Sequence, residues 1–417
     1  MKNRSCSKAG MKIFSSKIFY TKPTRWTFAA LAALLIAGCA WSACLHFIFK
    51  RDLSNYRSQH TIPPDGTALA ETYLAVWSDA KLRQAELDKM RQNNPEWDFM
   101  SRTYFVLALA NMGLRDKNRL PAACVIIDSI IRNTLEIERE KGFQHFLLSY
   151  GHSGGWTVNP PGSIFVDGEI ALMLAARRLL QEKDSYKPLL TQRVQTIISR
   201  MRRSPVLCAE SYPDECWLFC NTVALASIRM ADILDGSDHA DFLAEWVANA
   251  KKKLVEPRTG ILISAYAVDG TPAPCGFGPE GSTIWMASHM LQLVDKDFAN
   301  DQYRRARHEL GRSFLGFGYS REWPSGSAGS MDVDSGPVIP VFGASLSASG
   351  LAILAAAVFD DNEYLQTLLT SLEFAGFPVR NNGKLRYQAS NQVGDAVLLY
   401  AMMEGPPWDL VHSKIKK

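Results

Sequence analysis

The 417-residue sequence lacks the features that mark several protein classes. Its eight cysteines are irregularly spaced and form no disulfide framework. No second Cys or His pair follows Cys216 and Cys220 at zinc-like spacing, so we predict no metal site. The glycine-rich stretch 151–155 is not followed by Gly-Lys-Ser/Thr, which excludes a phosphate loop. Alternating Val, Ile and Thr runs are few, and 261–268 is the best strand candidate.

Basic residues are in excess only at the N-terminus. Residues 1–25 hold seven Lys and Arg and no Asp or Glu, so the rest of the chain is slightly acidic although the formal net charge is +4. This distribution gives no argument for a nucleic-acid partner, and we expect none. Long apolar runs are also absent, with one exception at 26–49. As a helix this stretch would rise about 36 Å, enough to cross a hydrocarbon core of roughly 30 Å.

The apolar stretch sets the predicted domain organisation. We predict a basic tail at 1–25, a transmembrane anchor at 26–49, a linker at 50–66 and a barrel domain at 67–417. The preceding positive charges place this domain on the extracytoplasmic (periplasmic) side of a bacterial-type inner membrane. A cleaved signal peptide is one alternative. A lipoprotein lipidated on Cys39 is another, because Ile36-Ala37-Gly38-Cys39 is similar to a lipobox, but the apolar run continues ten residues further and favours the anchor.

Beyond the linker, one pattern occurs six times. A loop rich in Gly, Pro, Asp and Asn precedes a helix rich in Ala, Leu and Met, at 95–98, 159–169, 213–215, 278–281, 332–337 and 391–395. More amphipathic, charged helices alternate with these, at about 67–91, 120–141, 185–203, 240–255, 300–314 and 361–373. Helices that are apolar on most sides are buried, and amphipathic ones form an outer layer. The pattern predicts an all-α (α/α)6 barrel whose inner helices begin at one end. An irregular helical bundle is the alternative.

Acidic residues recur at the starts of the predicted inner helices: Asp98, Asp167, Glu169, Glu215, Glu280, Asp334 and Asp395. N-capping explains any single one. Several carboxylates in one cavity would repel each other and raise some pKa values, which supplies an acid and a base near neutral pH. Aromatic residues in the same segments would shape an apolar pocket.

His152 lies in a glycine-rich loop and is either a base or a loop hydrogen-bonding group. Residues 151–155 match Gly-x-Ser-x-Gly as letters. The following Thr157-Val158-Asn159-Pro160-Pro161 cannot open a helix at once, which argues against the nucleophile elbow of a serine hydrolase.

The stretch from Tyr212 to Ala224, YPDECWLFCNTVA, resembles the linalool dehydratase/isomerase family. The segments 96–100 and 163–173 look similar too, and the resemblance covers most of 90–260 and extends more faintly to the C-terminus. It implies an (α/α)6 barrel. It also implies a cofactor-free enzyme that adds or removes water across a terpenoid alkene and shifts an allylic hydroxyl.

The resemblance also implies roles for single residues. Cys220 matches the family's second active-site Cys, and Asp98 matches its N-terminal Asp. The first family Cys would fall at Ser211 without a gap or at Cys208 with one. Tyr212 replaces the Glu before Pro-Asp, and Glu169 follows Gly168 where the family has a His.

We therefore predict a cofactor-independent lyase or isomerase acting on a small apolar, terpenoid-like alcohol or alkene. Asp98, Glu169 and Cys220 are the predicted acid/base groups. The predicted substrate-binding residues are Tyr104, His152, Trp156, Asp167, Cys208, Tyr212, Glu215, Tyr266, Glu280, Trp285, Asp334 and Tyr387. A carbohydrate-active (α/α)6 enzyme, such as a glycoside hydrolase with paired carboxylates, is one alternative. A non-catalytic membrane-tethered binding protein is a second alternative. The chain is also compatible with a homo-oligomer.

Overall fold

Helices account for most of the chain in a computed structural model, which describes residues 25–272, 278–327, 329, 332–333 and 335–415. The α-helices within these ranges are α1 (Arg25–Phe49), α2 (Pro64–Ser78), α3 (Ala80–Asn93), α4 (Pro95–Arg115), α5 (Leu120–Lys141), α6 (Ile164–Leu180), α7 (Lys187–Met201), α8 (Leu218–Asp235), α9 (Ala240–Lys253), α10 (Gly281–Leu291), α11 (Lys296–Glu309), α12 (Leu346–Val358), α13 (Asn362–Ala375), α14 (Gln392–Met403) and α15 (Pro406–Ile415).

Six of these helices form a closed inner ring. Helix α4 packs on α6, and contacts continue in order through α8, α10, α12 and α14, which packs back on α4. The outer layer packs on this ring, with α5 against α4 and α6, α7 against α6 and α8, α11 against α10, α13 against α12, and α2 against α14. The predicted (α/α)6 barrel is therefore confirmed. Helix α15 contacts α4, α6 and α8.

The two layers differ in the way that their sequences predict. Helix α6 is buried along almost its whole length, whereas α5 buries only one face, at Ala123, Cys124, Ile127, Ile130, Ile131 and Thr134. Caps define where several inner helices begin. The side chains of Asn94, Ser345 and Asn391 accept hydrogen bonds from first-turn backbone N–H groups of α4, α12 and α14.

The first outer helix differs from the prediction of one helix at about 67–91. The chain breaks between α2 and α3 at Asp79, whose extended backbone ends α2. Its carboxylate accepts hydrogen bonds from the N–H groups of Lys81 and Leu82 and so caps α3. The segment 50–66, predicted as a linker, packs on the barrel. Tyr56 is buried and donates a hydrogen bond to Glu373, and α2 already begins at Pro64.

Short antiparallel strands join the helices. Strands β1 (Cys216–Trp217) and β2 (Ala265–Tyr266) pair with each other. Five strands form one sheet in the order β3-β4-β7-β6-β5, from β3 (Gly311–Phe314), β4 (Phe317–Arg321), β5 (Asp332–Val333), β6 (Gly336–Ile339) and β7 (Ala344–Ser345). Strands β8 (Pro378–Asn381) and β9 (Lys384–Tyr387) form a hairpin. The sequence does not predict the five-stranded sheet, because its strands are too short to show an alternating pattern.

The N-terminal apolar segment is a separate unit, since the contacts divide the chain after Leu45. Within the described residues, Trp26–Phe49 is the one helix long and apolar enough to cross a membrane. A single helix of this kind near the N-terminus is compatible with a single-pass anchor and with a signal sequence.

Candidate active site

All six inner helices contribute their first two turns to one cavity of about 760 Å³. Its walls include Met100 of α4, Phe165 of α6, Leu351 of α12, and Val393 and Val397 of α14. These side chains make most of the wall apolar. A cavity of this size and lining suits a small apolar molecule held by a few polar groups.

Acids and aromatic rings gather in the outer part of the cavity, which we call the rim. Glu96 lies in the first turn of α4, Glu215 precedes α8, and Glu280 occupies the N-cap position of α10. The rim rings are Trp97, Tyr150, Tyr212, Trp217 and Trp323.

The rim groups bond to one another. The Tyr212 hydroxyl donates to Glu96 and accepts from the backbone N–H of Leu148 at 2.9 Å. Its ring stacks on Tyr150, with centroids 4.4 Å apart. The Trp217 indole N–H donates to Glu215 at 3.2 Å. The predicted residues Tyr212, Glu215 and Glu280 therefore share this cavity.

The lower end of the cavity, which we call the floor, holds Cys220, the one predicted acid/base group that lines the cavity. Cys220 lies in the first turn of α8 and lines the cavity directly. Burial raises the pKa of its thiol well above the ordinary value, and the nearby Glu96 and Glu169 add to this effect. The Cys220 side chain is therefore a neutral thiol at neutral pH.

Glu169 and Tyr104 lie one turn deeper than the cavity lining, and we count both with Cys220 as floor residues although neither lines the cavity. Each stands four residues after a cavity-lining residue on its own helix, Phe165 on α6 and Met100 on α4. Residues four apart share a helix face and lie about 6 Å apart along the axis. Both side chains consequently belong to the cavity-facing sides of their helices, one turn deeper than the walls.

The floor residues are buried and incompletely hydrogen-bonded. Burial raises the pKa of Glu169 to about 8, with the Thr103 hydroxyl opposing the shift. Among the described residues, Glu169 Oε2 and the Tyr104 hydroxyl have no hydrogen-bond partner. Buried polar atoms are nearly always satisfied, so two such atoms on groups close enough to interact electrostatically indicate a place for a polar ligand group. The carboxyl of Glu169 is neutral at neutral pH and can donate a proton.

Close helix packing brings the floor together. A Cβ on Gly168 would meet Ala224 of α8 at 3.2 Å, so glycine at this position permits the close approach of α6 to α8. Glu169 follows this contact and Cys220 lies one turn before it on the partner helix. Their side chains are near enough to influence each other's charge.

Asp98, the remaining predicted acid/base group, neither lines the cavity nor belongs to the floor residues. It is fully buried and accepts a hydrogen bond from Arg102 Nε at 2.8 Å, and Arg91 Nη1 lies 3.9 Å from its second oxygen. Asp167 is also committed to ion pairs, with Arg193 and Arg200 of the outer helix α7. These two carboxylates therefore link inner helices to outer ones, α4 to α3 through Arg91 and α6 to α7 through the two arginines.

Other predicted site residues lie away from the cavity wall. His152 is exposed at the end of a short 3-10 helix, and Trp156 packs on Phe143 with ring centroids 5.4 Å apart. Trp285 donates to Ser320 Oγ at 2.8 Å, and Tyr387 donates to Glu373 Oε1 at 3.3 Å.

Three of the remaining predicted residues are buried in the interior, and one lies outside the residues that the structure describes. Cys208 and Tyr266 are buried beside Cys216, behind the segment that leads into α8. Asp395 is buried one residue after the cavity-lining Gly394, and burial raises the pKa of its carboxyl to about 7. Asp334 lies outside the described residues.

Sequence reasoning did not single out Glu96, although it is the acid nearest the Tyr212 hydroxyl. Its position directly after Pro95 in the first turn of α4 is the same signal that singled out the other helix-start acids. Ser282 and Thr283 in the first turn of α10 were missed as well, because small hydroxyl residues at a helix start usually indicate only capping.

The fold and the site together define a class: an (α/α)6-barrel enzyme with a mainly apolar cavity and buried proton donors beside it. A sequence model of the linalool dehydratase/isomerase family matches residues 170–393, more than half of the chain. The chain therefore belongs to the linalool dehydratase/isomerase family. Cys220 lies inside the matched segment, whereas Glu169 directly precedes it and Tyr104 lies before it.

Three solved structures show a more distant similarity. A family 76 α-mannanase from Bacteroides thetaiotaomicron is 12% identical, covers 75% of this chain and 87% of its own, and has a TM-score of 0.46. A D-mannose isomerase is 11% identical, with coverage of 76% and 87% and a TM-score of 0.45. A family 105 glycoside hydrolase from C. acetobutylicum is 14% identical, with coverage of 81% and 99% and a TM-score of 0.46. Similarities of this size carry no function to this chain.

Proposed function

We propose that this enzyme removes water from, or moves the hydroxyl of, a small apolar allylic alcohol without a cofactor. The observation that carries the proposal is the floor: a neutral carboxylic acid, a neutral thiol and an unpartnered tyrosine hydroxyl under apolar walls. Such a site solvates the single hydroxyl of an otherwise apolar molecule and excludes bulk water from it.

In the proposed reaction, Glu169 protonates the hydroxyl oxygen of the alcohol. The carbon–oxygen bond then breaks and leaves water and an allylic cation. The Glu169 carboxylate takes a proton from a carbon adjacent to the cation, which forms the new double bond and restores the acid. The sum is alcohol to alkene and water. If the water instead adds to the other end of the cation, the resulting oxonium ion gives its extra proton to the Glu169 carboxylate, which yields the isomerised alcohol and restores the acid.

The neighbouring residues assist this step. Cys220 and Tyr104 are both neutral donors, because burial raises the pKa of each well above its ordinary value. Each can donate a hydrogen bond to the departing oxygen. The apolar walls formed by Met100, Phe165 and Val397 hold the hydrocarbon and deny the cation other nucleophiles.

The test is turnover of a panel of terpene and shorter allylic alcohols by the full-length protein, followed by gas chromatography. Positioned general acids contribute about 10²–10⁴-fold, so Glu169→Gln should lower kcat at least 100-fold. Glu140→Gln, an exposed glutamate on α5, is the matched control and should leave kcat unchanged. Because the acid form is required, wild-type activity should fall as pH rises through about 8. Full activity of both Glu169→Gln and Cys220→Ala would overturn the proposal.

The rim supports a second candidate, a carbohydrate-active enzyme. Three glutamates and three tryptophans converge there, and paired carboxylates with aromatic platforms suit glycosidic bonds. A panel of nitrophenyl glycosides and oligosaccharides separates the two. Sugar cleavage that is lost in Glu96→Gln or Glu215→Gln, together with no turnover of alcohols, would favour this candidate.

A further inference from the structure

Two groups of contacting aromatic rings lie on the five-stranded sheet, and strand β4 carries one ring of each group. Phe49 contacts Phe374 with ring centroids 5.1 Å apart, and Phe374 contacts Phe317 at 5.3 Å. Tyr319 contacts Phe342 at 6.0 Å. Phe317 and Tyr319 are two residues apart on β4 and so face the same side of the sheet. We call these five residues the aromatic stripe.

The aromatic stripe borders unusually exposed apolar side chains. Val341 in the turn between β6 and β7 is 86% exposed, and Leu346 at the start of α12 is 67% exposed. Phe377 and Phe314 are 63% and 60% exposed. Single exposed apolar residues are ordinary, but Phe314 pairs with Phe317 across the sheet and Val341 precedes Phe342 in the chain, so exposed apolar residues adjoin the aromatic stripe and indicate an interaction surface.

One end of the aromatic stripe is joined to the candidate membrane segment. Phe49 is the last residue of the apolar helix and lies four residues after Leu45 in the chain. The turn between β3 and β4 approaches the same place so closely that a Cβ on Gly316 would meet the His46 ring at 2.3 Å. The backbone of Gly316 is also left-handed, with φ of +81°, so only glycine fits this contact.

The other end of the aromatic stripe reaches the cavity. Phe342 and Val341 lie in the turn that follows β6, and β6 begins with the cavity-lining Gly336 and Pro337. Leu346, after β7, lines the cavity and is itself exposed. One sheet therefore connects the end of the apolar helix with the rim.

Exposed basic residues follow Phe49 in the chain and lie on the hairpin that follows Phe377. Lys50 directly follows Phe49, and Lys384 and Arg386 project from β9 beside the β8 strand that follows Phe377. Aromatic rings together with basic side chains are the combination that suits the interface of a membrane containing anionic phospholipid.

We propose that the aromatic stripe rests on the phospholipid bilayer, with the Val341–Phe342 turn inserted into it. A molecule dissolved in the hydrocarbon would then enter the cavity past Leu346 without crossing water. The proposed contact with the bilayer is supported by the exposed apolar surface and does not depend on the proposed function. The entry route rests on the proposed function, because it assumes an apolar substrate. A second copy of this chain is the competing occupant of the same surface.

The experiment places the full-length protein in vesicles of phosphatidylcholine and phosphatidylglycerol, with and without a nitroxide-bearing phosphatidylcholine. Cys6, Cys39, Cys44 and Cys275 are replaced by serine, and a single cysteine for the NBD fluorophore is introduced as Val341→Cys or Phe314→Cys. The matched control is Val125→Cys, which is 67% exposed on α5, between α4 and α6 rather than beside the sheet. Both probe positions are exposed, so labelling leaves the core intact.

We expect the nitroxide lipid to quench the probes at 341 and 314 at least twofold and to leave the probe at 125 unchanged. Equal quenching at 341 and 125 would overturn the proposal. The proposal would also be overturned by quenching that does not depend on the nitroxide lipid but increases with the number of protein molecules per vesicle. Such quenching would assign the surface to contact with a second copy of the chain.

A kinetic arm tests the entry route separately. Val341→Asp should lower turnover of a long-chain, vesicle-dissolved allylic alcohol at least fivefold and leave turnover of a short, water-soluble one unchanged. An equal effect on both alcohols would overturn the route. Absence of turnover with either alcohol in the wild-type protein would instead contradict the proposed function, while the quenching result would still decide the bilayer contact.

Discussion

Replacing Glu169 with glutamine should change how the stability of the barrel depends on pH. The ordinary pKa of a glutamate is 4.5, and burial raises that of Glu169 to about 8 in the folded chain. Between these values the folded chain keeps a proton that the unfolded chain has released. Stability is therefore lost as pH rises from 4.5 to 8, by about 1.4 kcal/mol per pH unit and by roughly 5 kcal/mol at most in total.

Glutamine has nearly the same size as glutamic acid and does not titrate. Glu169→Gln should therefore unfold with a free energy close to that of the wild type at pH 4.5 and should be the more stable protein at pH 9. The difference between the two proteins should grow by several kcal/mol, up to the roughly 5 kcal/mol derived from the shift.

The assay is urea unfolding of the full-length protein in a nonionic detergent, followed by far-ultraviolet circular dichroism at pH 4.5, 7 and 9. Glu140→Gln serves as the control, because Glu140 is exposed, and its difference from the wild type should stay flat with pH. A difference for Glu169→Gln that also stays flat would refute the reasoning, since it would mean that Glu169 does not hold its proton in the folded chain.

Three further substitutions test separate parts of the structure. Asp98→Asn should destabilise the protein by about 3–5 kcal/mol in urea unfolding, because it leaves the Arg102 guanidinium charged and buried; a loss below about 1 kcal/mol would contradict the structural role. Gly281→Ala should lower the unfolding free energy by about 1–3 kcal/mol, since the added Cβ would lie 2.4 Å from the Arg321 carbonyl oxygen; an unchanged midpoint would count against this packing. Asp395→Asn should gain stability relative to the wild type as pH rises from 3.8 to about 7, because burial raises the folded-state pKa of Asp395 to about 7; calorimetry at pH 4 and pH 8 that shows no gain would exclude it.

Composition was enough to predict the ring. The inner helices are so rich in Ala, Leu and Met that only burial on all sides explains them, and the loops before them carry the capping residues. What composition could not reveal is the break at Asp79, because a single aspartate inside a charged, amphipathic stretch reads as another exposed helical residue. Nor could it reveal the sheet from β3 to β7, whose strands have two to five residues.

At the site, the sequence identifies acidic residues but does not show which of them face the barrel interior. Asp167 and Glu169 are two residues apart at the start of α6, and a helix turns by about 200° over that distance. Asp167 therefore faces the arginines of α7 while Glu169 faces the barrel interior. The sequence contains both acids but not the rotation of the helix. Asp98 could have been recognised as an ion-pair residue, because Arg102 follows it at the four-residue spacing that joins opposite charges.

Helix α15 gives the barrel a blind end. Its Trp408 stacks on His289 of α10 with ring centroids 4.7 Å apart, and His289 in turn bonds the Tyr400 hydroxyl of α14 at 2.7 Å. Because α15 packs on α4, α6 and α8 at this end, we expect a molecule bound in the cavity to enter and leave by the rim. In the proposed reaction, the released water would then be held behind the hydrocarbon, next to the cation from which it came. Isomerisation would return the same oxygen atom to the carbon skeleton more often than an oxygen atom from the solvent, and substrate labelled with oxygen-18 would keep much of its label.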